Sequence, residues 1–165
     1  MEISVERVPL ERAQVLRNLM ELYQHDHAEF EDAEVNEHGL YGYKWLDHYW
    51  TEPGRHPFLI RVDGNIAGFA LVRDSTNTGD GKNEMAEFFI VKKYRRRGIG
   101  RIAAHRIFDT FPGKWSVGQV DRNLPAKGFW QAIISDYTEG RFEEITDTEW
   151  GKGPVRLFES RAGSG

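Results

Sequence analysis

The stretch AEFFIVKKYRRRGIGRIAAHR, residues 86–106, decides how this chain is read. An apolar run, Phe88-Phe89-Ile90-Val91, gives way to six cations within ten residues: Lys92, Lys93, Arg95, Arg96, Arg97 and Arg101. Gly98 and Gly100 interrupt the cations, and Ile102, Ala103, Ile107 and Phe108 then recur at helical spacing. The pattern predicts a strand, a basic turn and the start of a helix. The first N–H groups of a helix have no intrahelical acceptor, and glycine lets a ligand approach them closely. Residues 92–101 are therefore expected to hold phosphate groups.

The charge of the rest of the chain sharpens that expectation. The 165 residues carry a formal net charge of −4, with 22 Lys and Arg against 26 Asp and Glu. The ten residues of the turn hold six of the cations and no acid, which leaves 16 basic against 26 acidic residues elsewhere. A basic turn on an acidic protein points to a local anion site and speaks against general affinity for nucleic acid. The chain has no cysteine, which removes thiolate metal sites, disulfides and cysteine nucleophiles and fits a cytoplasmic location. No apolar run is long enough to span a bilayer, and no signal-peptide pattern follows Met1.

Around the turn, the periodicity predicts one α/β domain over residues 1–161, with 162–165 a flexible tail. A strand is expected over residues 3–8 and an amphipathic helix over 11–30, with Val15, Leu16, Leu19, Met20 and Tyr23 inward. Residues 25–37 hold six acids and no Lys or Arg, either a solvated helix end or an acidic mouth for a cationic substrate. The aromatic segment 39–50, with Tyr41, Tyr43, Trp45, Tyr49 and Trp50, is expected to form a short helix. Two β-rich runs, 58–62 and 66–72, flank Asp63-Gly64-Asn65 as a hairpin. A loop at 74–82 precedes a third antiparallel strand at 84–91. Further elements are expected as a helix from the turn to about Phe111, a strand at 114–120 and a helix at 125–134. Strands at 142–145 and 155–160 complete the sheet. Asn123 stands at the cap of the 125–134 helix and Pro125 in its first turn.

Arg95-Arg96-Arg97-Gly98-Ile99-Gly100 resembles the R/Q-x-x-G-x-G/A signature of the GNAT superfamily of N-acetyltransferases. The context resembles that family too, with a strand before the signature and a helix, strand and second helix after it. Asn123 and Ala126 are similar to its N-x-x-A element. The resemblance covers almost the whole chain. It implies a mixed α/β (α+β) fold with a mostly antiparallel central sheet, flanked by helices, whose two central strands splay apart. It also implies acetyl-CoA as co-substrate, without a metal. In that reading the N–H groups of Arg96, Arg97, Gly98, Ile99 and Gly100 hold the pyrophosphate while Arg95 and Arg101 add charge. The pantetheine pairs with the strand edge at Ile90 and Val91, where an N–H polarises the thioester. Asn123 bonds the pantetheine amides, while Trp130, a departure from the family pattern, is expected to pack against the pantetheine arm. The family's members transfer acetyl to an amine, here a small and cationic acceptor, and homodimers are common among them.

Direct transfer needs a neutral amine, hence a general base. Glu84 and Glu87 are the candidates on the central strand. Their spacing of three places them on opposite faces unless a bulge intervenes. Glu87, beside Phe88 and Phe89, is the favoured base, since burial there raises its pKa towards neutrality. The family often places a tyrosine seven positions after the asparagine to protonate the leaving thiolate. This chain has Trp130 there, whose indole is no useful acid. Tyr137 is the favoured substitute, with Tyr94 and the tyrosines of residues 41–49 as weaker candidates, unless water protonates a leaving group of pKa about 8.5.

Three other readings compete. A non-catalytic acyl-CoA-binding module is suggested by Trp130 at the acid position. Gly98-Ile99-Gly100-Arg101-Ile102-Ala103 also satisfies the G-x-G-x-x-A dinucleotide fingerprint, with Asp121 about 20 residues on. The hairpin before it and the charged residues after Val91 argue against a dinucleotide fold. The arginine run alone would suit nucleic acid, but the acidic remainder opposes it. His25 and His27 belong to no recognisable metal-ligand set.

Overall fold

Asp63 and Gly64 take positive φ, 49° and 83°, and close a two-residue hairpin turn whose twist suits the strands it joins. The computed structural model describes residues 1–146 and 153–161, so the expected tail at 162–165 lies outside the described residues. The hairpin joins β2 (Arg55–Val62) to β3 (Asn65–Arg73), longer strands than the periodicity suggests. β1 (Ile3–Arg7) pairs antiparallel with β2, and β4 (Asn83–Ile90) pairs antiparallel with β3. β5 (Lys114–Gly118), β6 (Glu143–Ile145) and β7 (Val155–Glu159) complete a seven-stranded sheet of order β1-β2-β3-β4-β5-β7-β6.

Among the described residues only β4 and β5 run parallel, and they pair only at Asn83↔Trp115 and Glu84↔Ser116. Beyond Glu84 the two central strands part, which is the expected splay. A single parallel pair inside an antiparallel sheet is not the doubly wound sheet that a dinucleotide fingerprint requires.

Helices cover both faces. On one face, α1 (Ala13–Glu31) buries Leu16 and Met20 with Leu59, Phe69, Leu71 and Phe89. On the other lie α3 (Ile99–Thr110) and α4 (Leu124–Thr138), with Ala104, Ile107, Phe108, Trp130, Ile133 and Ile134 around Trp115. Among the described residues no helix is long and apolar enough to cross a membrane.

The aromatic segment departs from expectation. Its only helix is α2 (His48–Thr51), and the residues before it are turns and irregular chain. Gly39 and Gly42 take φ of 75° and 71°, which a right-handed helix does not admit. Glu21 of α1 instead accepts hydrogen bonds from the Tyr41 and Gly42 amides at 2.7 and 2.9 Å, strapping the segment to that helix. Tyr49 and Leu46 enter the core, and Trp50 donates to the Val8 carbonyl at 2.8 Å.

Candidate active site

β4 carries one residue more than its partner. The register runs Leu71↔Glu87 and then Val72↔Met85, so Ala86 is a bulge. The extra residue reverses the alternation of side chains. Glu84, opposite Arg73, and Glu87, opposite Leu71, come to the same face of the sheet. That face is the one α1 covers, since Leu71 and Phe69 pack there.

Glu87 is half-buried and sits under Tyr23 of α1 and Tyr43 of the aromatic segment, whose hydroxyl lies 3.5 Å from Oε1. Burial is the largest influence on it and raises its pKa to about 7. The negative charges of Glu31 and Glu84 push the same way, and hydrogen bonds from Tyr23 and Tyr43 pull part of the way back. Glu84 is raised by burial as well, against the pull of Arg73, whose guanidinium lies 3.9 Å away. Burial, with Glu87 adding to it, raises the Tyr23 and Tyr43 hydroxyls, so both remain protonated donors. Of the acids in residues 25–37, Glu31 is among the influences on Glu87; like Glu29 and Glu34 it is exposed.

The edge of β4 that faces the splay can be assigned from the ladder. The Val91 amide donates to the Ala67 carbonyl at 2.8 Å, so Val91 is committed to β3. Alternation then turns the amides of Phe88 and Ile90 towards the splay. The expectation of an open edge at Ile90 and Val91 therefore shifts, with Phe88 in place of Val91.

The basic turn follows through a short 3-10 turn, Lys92–Tyr94, and ends at Gly98, the N-cap of α3 with φ of 76°. Arg96 also takes positive φ, 63°, a strained value for a residue with a side chain. The first bond of the helix runs from the Ile102 amide to the Gly98 carbonyl at 3.1 Å. Among the described residues the amides of Arg96 to Arg101 meet no acceptor, which leaves a row of donors at a helix N-terminus. A Cβ on Gly100 would lie 2.9 Å from the Phe129 ring of α4, so this glycine also lets two helices meet.

The cations of the turn divide. Arg95 pairs with Asp26 of α1, and Arg101 pairs with Asp136 of α4 at 3.0 Å. Both were expected to lend charge to a pyrophosphate, and both already have carboxylate partners. Lys93, Arg96 and Arg97 are exposed and have no carboxylate within ion-pair distance among the described residues. Lys93 and Arg97 lie over the Tyr94 ring, 5.4 and 5.8 Å from its centroid, and a row of open amides beside three cations without a carboxylate partner fits a pyrophosphate.

The remaining expected residues lie on the α4 side. The Asn123 side chain caps its own helix, accepting from the Ala126 amide at 3.1 Å. Trp130 is only 7% exposed and meets Phe88 edge-to-face at 5.2 Å, so it backs the groove through that ring. Tyr137 stands at the opposite end of α4 from Asn123, about 20 Å along the helix. Its hydroxyl donates to Asp109 at 2.7 Å and accepts from the Arg161 amide at 3.0 Å. This corrects the expectation of Tyr137 as the acid: it is a core residue tied to α3, away from the splay. Among the described residues no cluster of His, Asp or Glu gathers as metal ligands.

Comparison with known proteins agrees with this geometry. The model of the acetyltransferase (GNAT) family matches residues 16–133. No curated protein matches the chain in sequence. Among solved structures, an acetyltransferase from Thermus thermophilus superposes with a TM-score of 0.72 at 17% identity, over 96% of this chain and 97% of that one. The PaiA N-acetyltransferase from Thermoplasma acidophilum, in complex with coenzyme A, gives 0.62 at 12% identity over 96% and 99%. Spermidine N-acetyltransferase from Vibrio cholerae, in complex with coenzyme A and spermine, gives 0.63 at 11% over 96% and 95%. At these identities the likeness is one of fold.

Proposed function

The chain belongs to the acetyltransferase (GNAT) family and is an acyltransferase, and from that premise we propose that it moves an acetyl group from acetyl-CoA directly to the primary amine of a small cationic acceptor. The observation that carries the reading is the position of the Glu87 carboxyl, beneath Tyr23 and Tyr43 where burial raises its pKa to about 7, three residues before the Ile90 amide that faces the splay. Neighbours of the same fold include a spermidine N-acetyltransferase, whose named acceptor is a polycation of the proposed charge.

When bound, acetyl-CoA supplies an activated thioester whose carbonyl carbon the amine attacks. The amides of Arg96 to Gly100 bind its pyrophosphate, with Lys93, Arg96 and Arg97 as counter-charges. The Phe88 and Ile90 edge accepts the pantetheine amides as an added strand, with Asn123 at the far wall and Trp130 holding Phe88 in place. The Ile90 N–H would polarise the thioester carbonyl and stabilise the charge that develops on its oxygen. Glu87 takes the proton of the incoming ammonium, Tyr23 and Tyr43 hold its carboxylate, and the neutral amine attacks. The C–S bond would then break, and the second proton shed by the amine nitrogen would reach the departing thiolate through water while Glu87 returns the first to solvent, so no side-chain acid is required. Glu31 and Glu84 raise the local concentration of a cationic acceptor.

Thiol release from acetyl-CoA, followed against a panel of polyamines, amino acids, aminoglycosides and peptide N-termini, tests the reading. Amine-dependent release that collapses in Glu87→Gln supports it. A protein that binds CoA and turns over no amine is the non-catalytic module instead.

A further inference from the structure

Arg95 holds the first place of the signature, yet its contacts lead away from the pyrophosphate turn. Its Nε donates to the Ile90 carbonyl at 2.8 Å, and its guanidinium lies over the Phe89 ring, 5.6 Å from the centroid. A second nitrogen donates to Asp26 Oδ2, and Lys92 approaches the same carboxylate at 4.0 Å. Asp26 is one turn beyond Tyr23 on α1, and Tyr23 holds Glu87. A planar guanidinium divided in this way among a carbonyl, a ring face and a carboxylate has its orientation fixed. The residue bonded on one side, Ile90, offers its amide to the splay, and the helix bonded on the other walls the acceptor side.

A second arginine anchors the same helix from across the splay. Arg122, in the connection between β5 and α4, donates to the Phe30 carbonyl in the last turn of α1. The end of α1 is therefore tied to the chain that follows each of the two parting strands.

We propose that Arg95 and Asp26 form a latch between the cofactor edge and the acceptor wall, with Arg95 a positioning residue for the Ile90 amide and for α1, and not a ligand of the pyrophosphate. The latch sets the distance between the N–H that meets the thioester oxygen and the helix whose tyrosine holds the base. This inference rests on the proposed acetyl-CoA groove, and two readouts separate it from that reading.

The experiment compares Arg95→Gln, Arg95→Lys, Asp26→Asn and the Arg95→Gln/Asp26→Asn double variant, each checked for folding by its melting curve. Misplacing reacting groups lowers turnover without weakening cofactor binding, so each single variant should lose about tenfold in kcat. The KM for acetyl-CoA and the dissociation constant for CoA should stay within about twofold, and the double variant should be no worse than the singles. Arg95→Lys keeps the charge but not the fork, so it should fail like Arg95→Gln. A raised dissociation constant for CoA in Arg95→Gln, restored by Arg95→Lys, overturns the latch, as does an Asp26→Asn variant with wild-type kinetics. Amide hydrogen exchange over α1 residues 23–31 reads the latch even if no amine is accepted. It should quicken in Arg95→Gln and Asp26→Asn alike, and unchanged exchange in either contradicts the proposal.

Discussion

At the scale of single residues, the chemistry turns on Glu87. Its pKa of about 7 lies above the ordinary carboxyl value because burial disfavours the anion. A base works only when deprotonated, so kcat/KM should fall as pH drops through about 7. The neighbours should move that inflection in opposite directions. Glu84→Gln removes a negative charge and should shift it to lower pH, whereas Tyr43→Phe removes a hydrogen bond to the carboxylate and should shift it higher. The same burial has a consequence for stability. In a group whose folded pKa is raised, the native state binds the proton more tightly, so its contribution is present below the ordinary pKa and is lost as pH rises through about 7. Glu87→Gln should therefore melt higher than wild type at about pH 8, and the gap should close towards about pH 4.5. Equal melting temperatures at both pH values would show that the carboxyl is not buried as described. Sequence reasoning found Glu87 through its apolar neighbours, Phe88 and Phe89. It did not find Tyr23 and Tyr43 as its partners, because nothing local marks a tyrosine on α1 as facing β4.

At the scale of elements, the Ala86 bulge and the Gly98–Gly100 turn do most to shape the site. Alternation alone sends Glu84 and Glu87 to opposite faces. The bulge exists because β3 and β4 slip by one residue between Leu71 and Val72, a tertiary fact that no local pattern encodes. The turn was legible, since glycines beside a helix start mark positive φ and close approach. What stayed hidden was the destination of the arginines, for their partners Asp26 and Asp136 lie 69 and 35 residues away in the chain. Gly100 carries a prediction of its own. A methyl group there would press on the Phe129 ring at 2.9 Å, so Gly100→Ala should destabilise by about 1–3 kcal/mol. Phe129→Leu in the same chain should recover part of that loss. Additive effects in chemical denaturation would mean that the ring is not what the methyl meets. Gly98→Ala should cost about 1 kcal/mol for a different reason, its φ of 76°, and Phe129→Leu should not relieve it.

At the scale of the whole molecule, the order of strands explains why a cofactor groove arises here. Antiparallel strands continue through β4, and the crossover through α3 then brings β5 alongside in parallel. The pair holds for two positions and parts, so the edge beyond Glu84 remains open in the centre of the sheet. The mixed sheet and the splay were legible because the hairpin and the basic turn occur in the order the family shows. The form of the aromatic segment was not, since its path is set by Glu21 and two glycines. A ligand that fills the groove should stabilise the whole fold, by about 2.7 kcal/mol at a concentration 100 times its dissociation constant. Acetyl-CoA should raise the melting temperature and NADH should not. Glu31→Gln and Glu84→Gln together should raise the KM for a cationic amine while leaving that for acetyl-CoA unchanged. The most direct test of the account is the pH profile of amine-dependent thiol release from acetyl-CoA, measured for wild type and Glu87→Gln. Wild type should show an inflection near 7. Glu87→Gln should lose it, together with about 100-fold or more of kcat/KM, and keep its affinity for CoA. A Glu87→Gln enzyme with the rate and profile of the wild type would contradict the assignment of Glu87 as the base.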